Sequence, residues 1–262
     1  FQATNDLLAR GVSLYRSAEG AIILPGDPAL ANELINGYAL DLVALRQMPG
    51  DVVPMAEQKI AVYGDEGVRH ALKTLGFEFD SVGAGDINAG VLAGYDVFIN
   101  YDLRWTDLNP AGRASVSAWF NAGGDFIGLG SRARAIDFAN DAGWTAVNYG
   151  EISGNAILEI DYEPGDPVAA GFQEDGYAFV YRSVWFTDWP DMEVSARIDS
   201  GDFLVSGFWE NWQSSGANGM PVVVHDTDGD ADVVLIGVDN TFRGHPENTF
   251  RLLGNAIYSG LD

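Results

Sequence analysis

The chain has 262 residues, 47% of them hydrophobic, and a formal net charge of -24 from 38 acidic and 14 basic side chains. That is enough apolar material for one large domain, or one domain and a smaller companion. The charge argues against nucleic acid and anionic lipid as partners, and no apolar run approaches the ~20 residues that span a bilayer.

The first five residues, Phe1-Gln2-Ala3-Thr4-Asn5, carry neither a basic nor an apolar signal region and do not begin with Met, so a longer precursor is expected. Lysine occurs only at Lys59 and Lys73, and Asp outnumbers Glu by about two to one. That balance suits a salt-adapted protein, whose self-repulsion is screened, and equally an ordinary acidic secreted one. Cysteine is absent, which removes disulfides, thiolate metal sites and thiol nucleophiles. With only His70, His225 and His245 present, a His-rich catalytic zinc site is not expected.

In chain order, residues 1–57 read as a small α/β unit. A helix ends at Arg10 and is closed by Gly11; strands follow at 12–15 and 21–24, a helix at 28–38, a strand at 40–45 and a Pro/Gly-punctuated linker at 48–54. Residues 58–262 form a second unit that opens with regular alternation: strands at 59–63, 77–82, 95–100 and 125–129, with helices at 66–75 and 109–121. Such alternation predicts a doubly wound, mainly parallel sheet, with its site beyond the carboxyl ends of the strands. The second half is strand-rich, with strands expected at 156–160, 178–181, 194–198, 203–208, 221–225 and 232–237, and a closing helix at 247–258.

Residues 121–133 place a Gly pair, a strand and a Gly-rich turn ahead of another helix, the layout of a nucleophile elbow. With Gly128, Gly130 and the later His245-Pro246-Glu247, this stretch resembles class I glutamine amidotransferase-like domains of flavodoxin-like fold. The family elbow reads Gly-x-Cys-x-Gly. Gly128 matches its first glycine, Gly130 falls at the cysteine and Arg132 departs from the second glycine. Residues 178–187, 203–209 and 242–256 are similar to the non-catalytic branch appended to secreted zinc carboxypeptidase-like proteins. That resemblance implies an accessory binding or structural module, an upstream carboxypeptidase-like partner domain, and an extracellular or periplasmic location.

Other readings stay open. Ser131, His245 and Glu247 could form a serine hydrolase triad, although the elbow register sets Ser131 beside the strained position. His245-Pro246-Glu247 also suits a plain helix start. Trp185, Trp209 and Trp212 could offer an aromatic platform to a carbohydrate or peptide. Asp226, Asp228, Asp230 and Asp232 alternate as calcium ligands do, yet a polar hairpin explains them without metal. Calcium is the one cofactor the sequence suggests. Homo-oligomerisation is compatible with the composition.

Overall fold

A computed structural model describes residues 1–130, 133–152, 154–226 and 229–260. Helix α1 (Gln2–Ala9) buries Ala3, Leu7 and Leu8. Strand β1 (Tyr15–Ser17) pairs antiparallel with β2 (Ile22–Ile23) on one side. Helix α2 (Pro28–Tyr38) starts at Asp27, whose carboxylate accepts from the Ala29 and Leu30 amides, with Pro28 in the first turn. The other side of β1 is covered by β3 (Val52–Pro54), inside the segment expected to be a linker. The strand expected at 40–45 is absent. That stretch has no ladder partner, and Val43 is 86% exposed, so apolar content alone did not make it a strand.

Next come β4 (Ile60–Tyr63), α3 (Glu66–Leu75), β5 (Asp80–Ser81), α4 (Ala84–Asn88), β6 (Val97–Asn100), α5 (Pro110–Phe120), β7 (Asp125–Leu129) and α6 (Arg134–Ala142). The caps are local chemistry. Asp65 accepts from the Gly67 and Val68 amides at the head of α3, and Gly76, at φ 79°, ends that helix in the left-handed conformation. The Asn109 side chain caps α5 by accepting from the Gly112 amide.

The second half contains β8 (Asn148–Glu151), β9 (Gly154–Tyr162), β10 (Asp175–Tyr181), β11 (Val184–Asp188), β12 (Glu193–Ile198), β13 (Leu204–Trp209), β14 (Pro221–Asp226), β15 (Val233–Ile236) and α7 (Phe250–Ile257). The closing helix is shorter than expected, because Glu247–Thr249 is a separate 3-10 turn. Strands β8 and β11, which were not expected, pair with each other apart from the main sheet.

The main sheet runs β10-β9-β12-β14-β15-β7-β6-β4-β5, with β13 also on β9. Its β5-β4-β6-β7-β15 part is parallel, in the 2-1-3-4-5 order of a flavodoxin-like sheet. The remaining pairings are antiparallel. Side chains alternate across the parallel strands. Val62, Ile99, Ile127 and Leu129 meet residues of α1, α3 and α7, whereas Ala61, Phe98 and Phe126 meet Val116, Ile136 and Phe138 on the other face. Arg16 on β1 is buried and donates to the Tyr258 carbonyl (2.5 Å) and the Pro167 carbonyl (2.7 Å).

Candidate functional site at the carboxyl end of the parallel strands

The turns after β4, β6, β7 and β15 leave one end of the sheet, since Ile60 pairs with Val97, Val97 with Asp125 and Ile236 with Leu129 in parallel register. Gly130 follows β7 there, and the segment leading to His245 follows β15. Between β7 and α6 the chain turns sharply: the Ala133 amide donates to the Gly130 carbonyl (3.2 Å), and Ala133 sits at φ 56°. A non-glycine residue in that region is strained. Ser131 and Arg132 lie outside the described residues.

The expected nucleophile position is closed by backbone. A Cβ on Gly130 would stand 2.6 Å from Gly237 Cα and 2.7 Å from the Ile236 carbonyl oxygen. The Gly130 amide donates to that same carbonyl at 2.6 Å. A cysteine at this position would therefore run into backbone.

His245 ends the 3-10 turn Phe242–Gly244 and is exposed, as is Glu247. They are joined through the backbone, where the Glu247 amide donates to the His245 carbonyl at 2.9 Å. Among the described residues no side-chain hydrogen bond or ion pair links them, so the arrangement lacks the base-orienter contact that a triad uses. Instead, His245 lines a cavity of about 440 Å³ with Ile157, Tyr177, Phe179 and Phe242. At its rim the Tyr181 and Phe242 rings lie 4.9 Å apart. The Arg182 guanidinium stands over Tyr181 and that of Arg243 over Phe242. Both arginines hold left-handed backbone, φ 57° and 50°.

Behind this rim is a group that sequence reasoning missed. Asp239 is 2% exposed, and its Oδ2 has no hydrogen-bond partner. Burial, then the Asp65 carboxylate, push its acid up to about 7. Neighbouring Asn240 is equally buried, with an unpaired Nδ2. Nothing local in Gly237-Val238-Asp239-Asn240 signals this burial.

The other expected site residues lie elsewhere. Trp185 and Trp209 are buried with ring centroids 5.5 Å apart, and Trp212 packs edge-on to buried Phe203. Trp185 and Trp209 are used in core packing and present no platform, and Trp212 is half-buried against the core. Asp226 ends β14, Asp230 is exposed and Asp228 lies outside the described residues. Asp232 is buried, and its amide donates to Asp125 Oδ1 at 3.0 Å. Among the described residues these carboxylates do not converge into a three-ligand group. At this same amino end of the parallel strands, the buried pair Asp166–His225 forms a second polar centre that the sequence did not disclose.

No family model matches the sequence, and no curated protein matches it significantly. Solved structures do. A GMP synthase component from Thermoplasma acidophilum aligns over 78% of this chain and 94% of its own, at 12% identity and TM-score 0.52. A ThuA-like protein from Bacteroides uniformis covers 77% and 91% at 15% identity and TM-score 0.49. A glutamine amidotransferase from Thermotoga maritima covers 76% and 97% at 9% identity and TM-score 0.45. The chain shares a flavodoxin-like, mainly parallel α/β fold with the GMP synthase component. At these identities the likeness concerns the fold alone.

Proposed function

We propose that this amidotransferase-like chain is a non-catalytic binding module. One observation carries the reading: the nucleophile position Gly130 has backbone where a side chain would have to stand. The absence of cysteine agrees with it, as does the lack, among the described residues, of a side-chain hydrogen bond or ion pair between His245 and Glu247. What the carboxyl end keeps is a concave surface. Ile157, Tyr177, Phe179 and Phe242 supply apolar and aromatic area, and His245 and Asn248 supply polar atoms. Such a lining suits an apolar or aromatic peptide side chain, or the apolar face of a sugar. The resemblance of residues 178–187 and 242–256 to domains appended to secreted zinc carboxypeptidase-like proteins supports an accessory role beside such a catalytic part.

Ammonia release from glutamine and fluorophosphonate labelling test the non-catalytic reading on the purified chain. Neither is expected. Ammonia release that disappears in His245→Ala, or a labelled Ser131, would replace this reading with an enzyme. Peptide and glycan arrays then test the cavity, where retained binding by Tyr177→Ala would exclude it as the binding place.

A further inference from the structure

Asp166, Glu193 and His225 meet at the amino end of the parallel strands, on the antiparallel part of the sheet. Glu193 on β12 and His225 on β14 are direct cross-strand partners. Asp166 stands in the turn after β9. Its Oδ1 accepts from the Val168 and Ala169 amides at 2.8 and 2.9 Å, which fixes the carboxylate and leaves Oδ2 to face His225. The His225 Nε2 to Asp166 Oδ2 distance is 2.7 Å, and Glu193 Oε2 lies 3.9 Å from the same nitrogen. One donor atom from each residue falls within 4.8 Å of both others.

Two further observations make this more than an ion pair. Ser195, two residues along β12 from Glu193, is fully buried; its hydroxyl bears on the Asp166 carboxylate without a hydrogen bond of good geometry. Lacking a well-formed hydrogen bond, the hydroxyl oxygen has lone pairs available to an ion bound beside Asp166. The Glu193 side chain is 76% exposed, whereas those of Asp166 and His225 are 5% and 1% exposed. The centre thus has a rigid buried wall and one exposed carboxylate at the solvent side, a route by which a hydrated ion could enter.

We propose that Asp166, Glu193 and His225 form a binding site for a single divalent cation of the zinc class. One imidazole and two carboxylates are a borderline donor set that suits zinc, whereas calcium takes oxygen alone. Ligand atoms at zinc bond lengths in a tetrahedron stand about 3.3 Å apart. The His225–Asp166 contact must open by roughly half an ångström to admit the ion, and Glu193 must close by a similar amount. Glu193 can do so by side-chain rotation. The buried Arg16 guanidinium near Asp166 opposes a cation, but two carboxylates outweigh one guanidinium. As a ligand through Nε2, His225 must hold its proton on Nδ1, which is buried with no protein acceptor. That cost weakens the site by about 10–100-fold relative to one whose second nitrogen is paired.

The test is zinc titration calorimetry with metal content measured after gel filtration. It is run in about 1 M NaCl, where the Debye length of about 3 Å suppresses loose ion binding to the acidic surface. The expected result is one zinc per chain. Glu193→Gln, an exposed change that keeps the fold, should weaken binding by about ten-fold or more, while His245→Ala leaves it unchanged. Absence of stoichiometric zinc, undiminished binding by Glu193→Gln, or loss in His245→Ala would each overturn the proposal. A melting temperature of Glu193→Gln in EDTA equal to that of the parent confirms that a weakened variant is folded.

Discussion

Gly130 and Gly237 meet backbone to backbone: a Cβ on the first would lie 2.6 Å from the Cα of the second. Gly237 is itself enclosed, because a Cβ there would lie 2.6 Å from the Val184 carbonyl oxygen and 2.9 Å from that of Val222. The ends of β7 and β15 and the starts of β14 and β11 therefore close on one another with two glycines between them. Restoring a nucleophile would require the strands to part.

Gly130→Cys is accordingly expected to lose stability and gain no activity. Overpacking of this kind costs about 1–3 kcal/mol, sometimes more. Because the obstructing atoms are backbone, the loss should lie at the upper end, with Gly130→Ala close behind. Thermal melts and glutamine hydrolysis measure both. A Cys variant that melts like the parent and releases ammonia would refute the steric argument.

Asp239 sets a pH dependence of definite sign. Its folded acid is raised to about 7 from the ordinary carboxylate value of 3.8, chiefly by burial and then by Asp65. Between those two values the folded chain holds a proton that the unfolded chain has released, so this group's contribution to stability falls as pH rises. Above about pH 7 the charged form is buried at a cost on the order of a few kcal/mol. Asp239→Asn should melt higher than the parent at pH 8 and about equal to it near pH 4. Equal melting at both pH values would show that Asp239 is not titrating in the interior.

Arg16 is expected to be indispensable to packing of residues 1–57 on the body. Arg16→Met would strand the Tyr258 and Pro167 carbonyls, at about 1–3 kcal/mol for each buried acceptor left unpaired. Arg16→Lys should not rescue, since a single ammonium cannot reproduce a fork that reaches two carbonyls. Urea unfolding of the two variants decides this; a Lys variant as stable as the parent would contradict the fork.

Salt should raise the melting temperature. At a net charge of -24 the surface repels itself, and screening weakens that repulsion in the folded chain more than in the expanded one. Melts in low and molar NaCl test this, and a flat or falling midpoint would count against it.

The parallel part of the fold was readable because its signals are local. Short apolar runs such as Ile60–Tyr63 and Val97–Asn100 alternate with helices whose caps, Asp65, Asn109 and Gly76, are written beside them. The failures share the opposite property. Residues 40–45 are apolar enough for a strand but meet no partner, while Val52–Pro54, read as linker, becomes a strand because β1 offers it an edge. The elbow's layout was visible, but its closure depends on Gly237, which is remote in sequence. Asp166 and His225 are 59 residues apart, and Asp239 gains its character from burial beside Asp65. No spacing rule could have joined them. The aromatic cluster misled for a related reason: Trp185 and Trp209 owe their inward facing to the strands stacked around them.

Arg16 grips a carbonyl 242 residues further along the chain, and Phe1 packs against Phe77 and Tyr258. On a ribosome, α1 therefore has no finished surface to dock on until α7 has left the exit tunnel. Contacts of such long sequence separation are slow to form, because the loop-closure entropy is paid before they contribute. The apolar side of α1, with Leu7 and Leu8, must wait uncovered while everything between α1 and α7 is synthesised. Within this fold α1 is thus the element left longest exposed to aggregation during synthesis, and its docking waits on the arrival of α7.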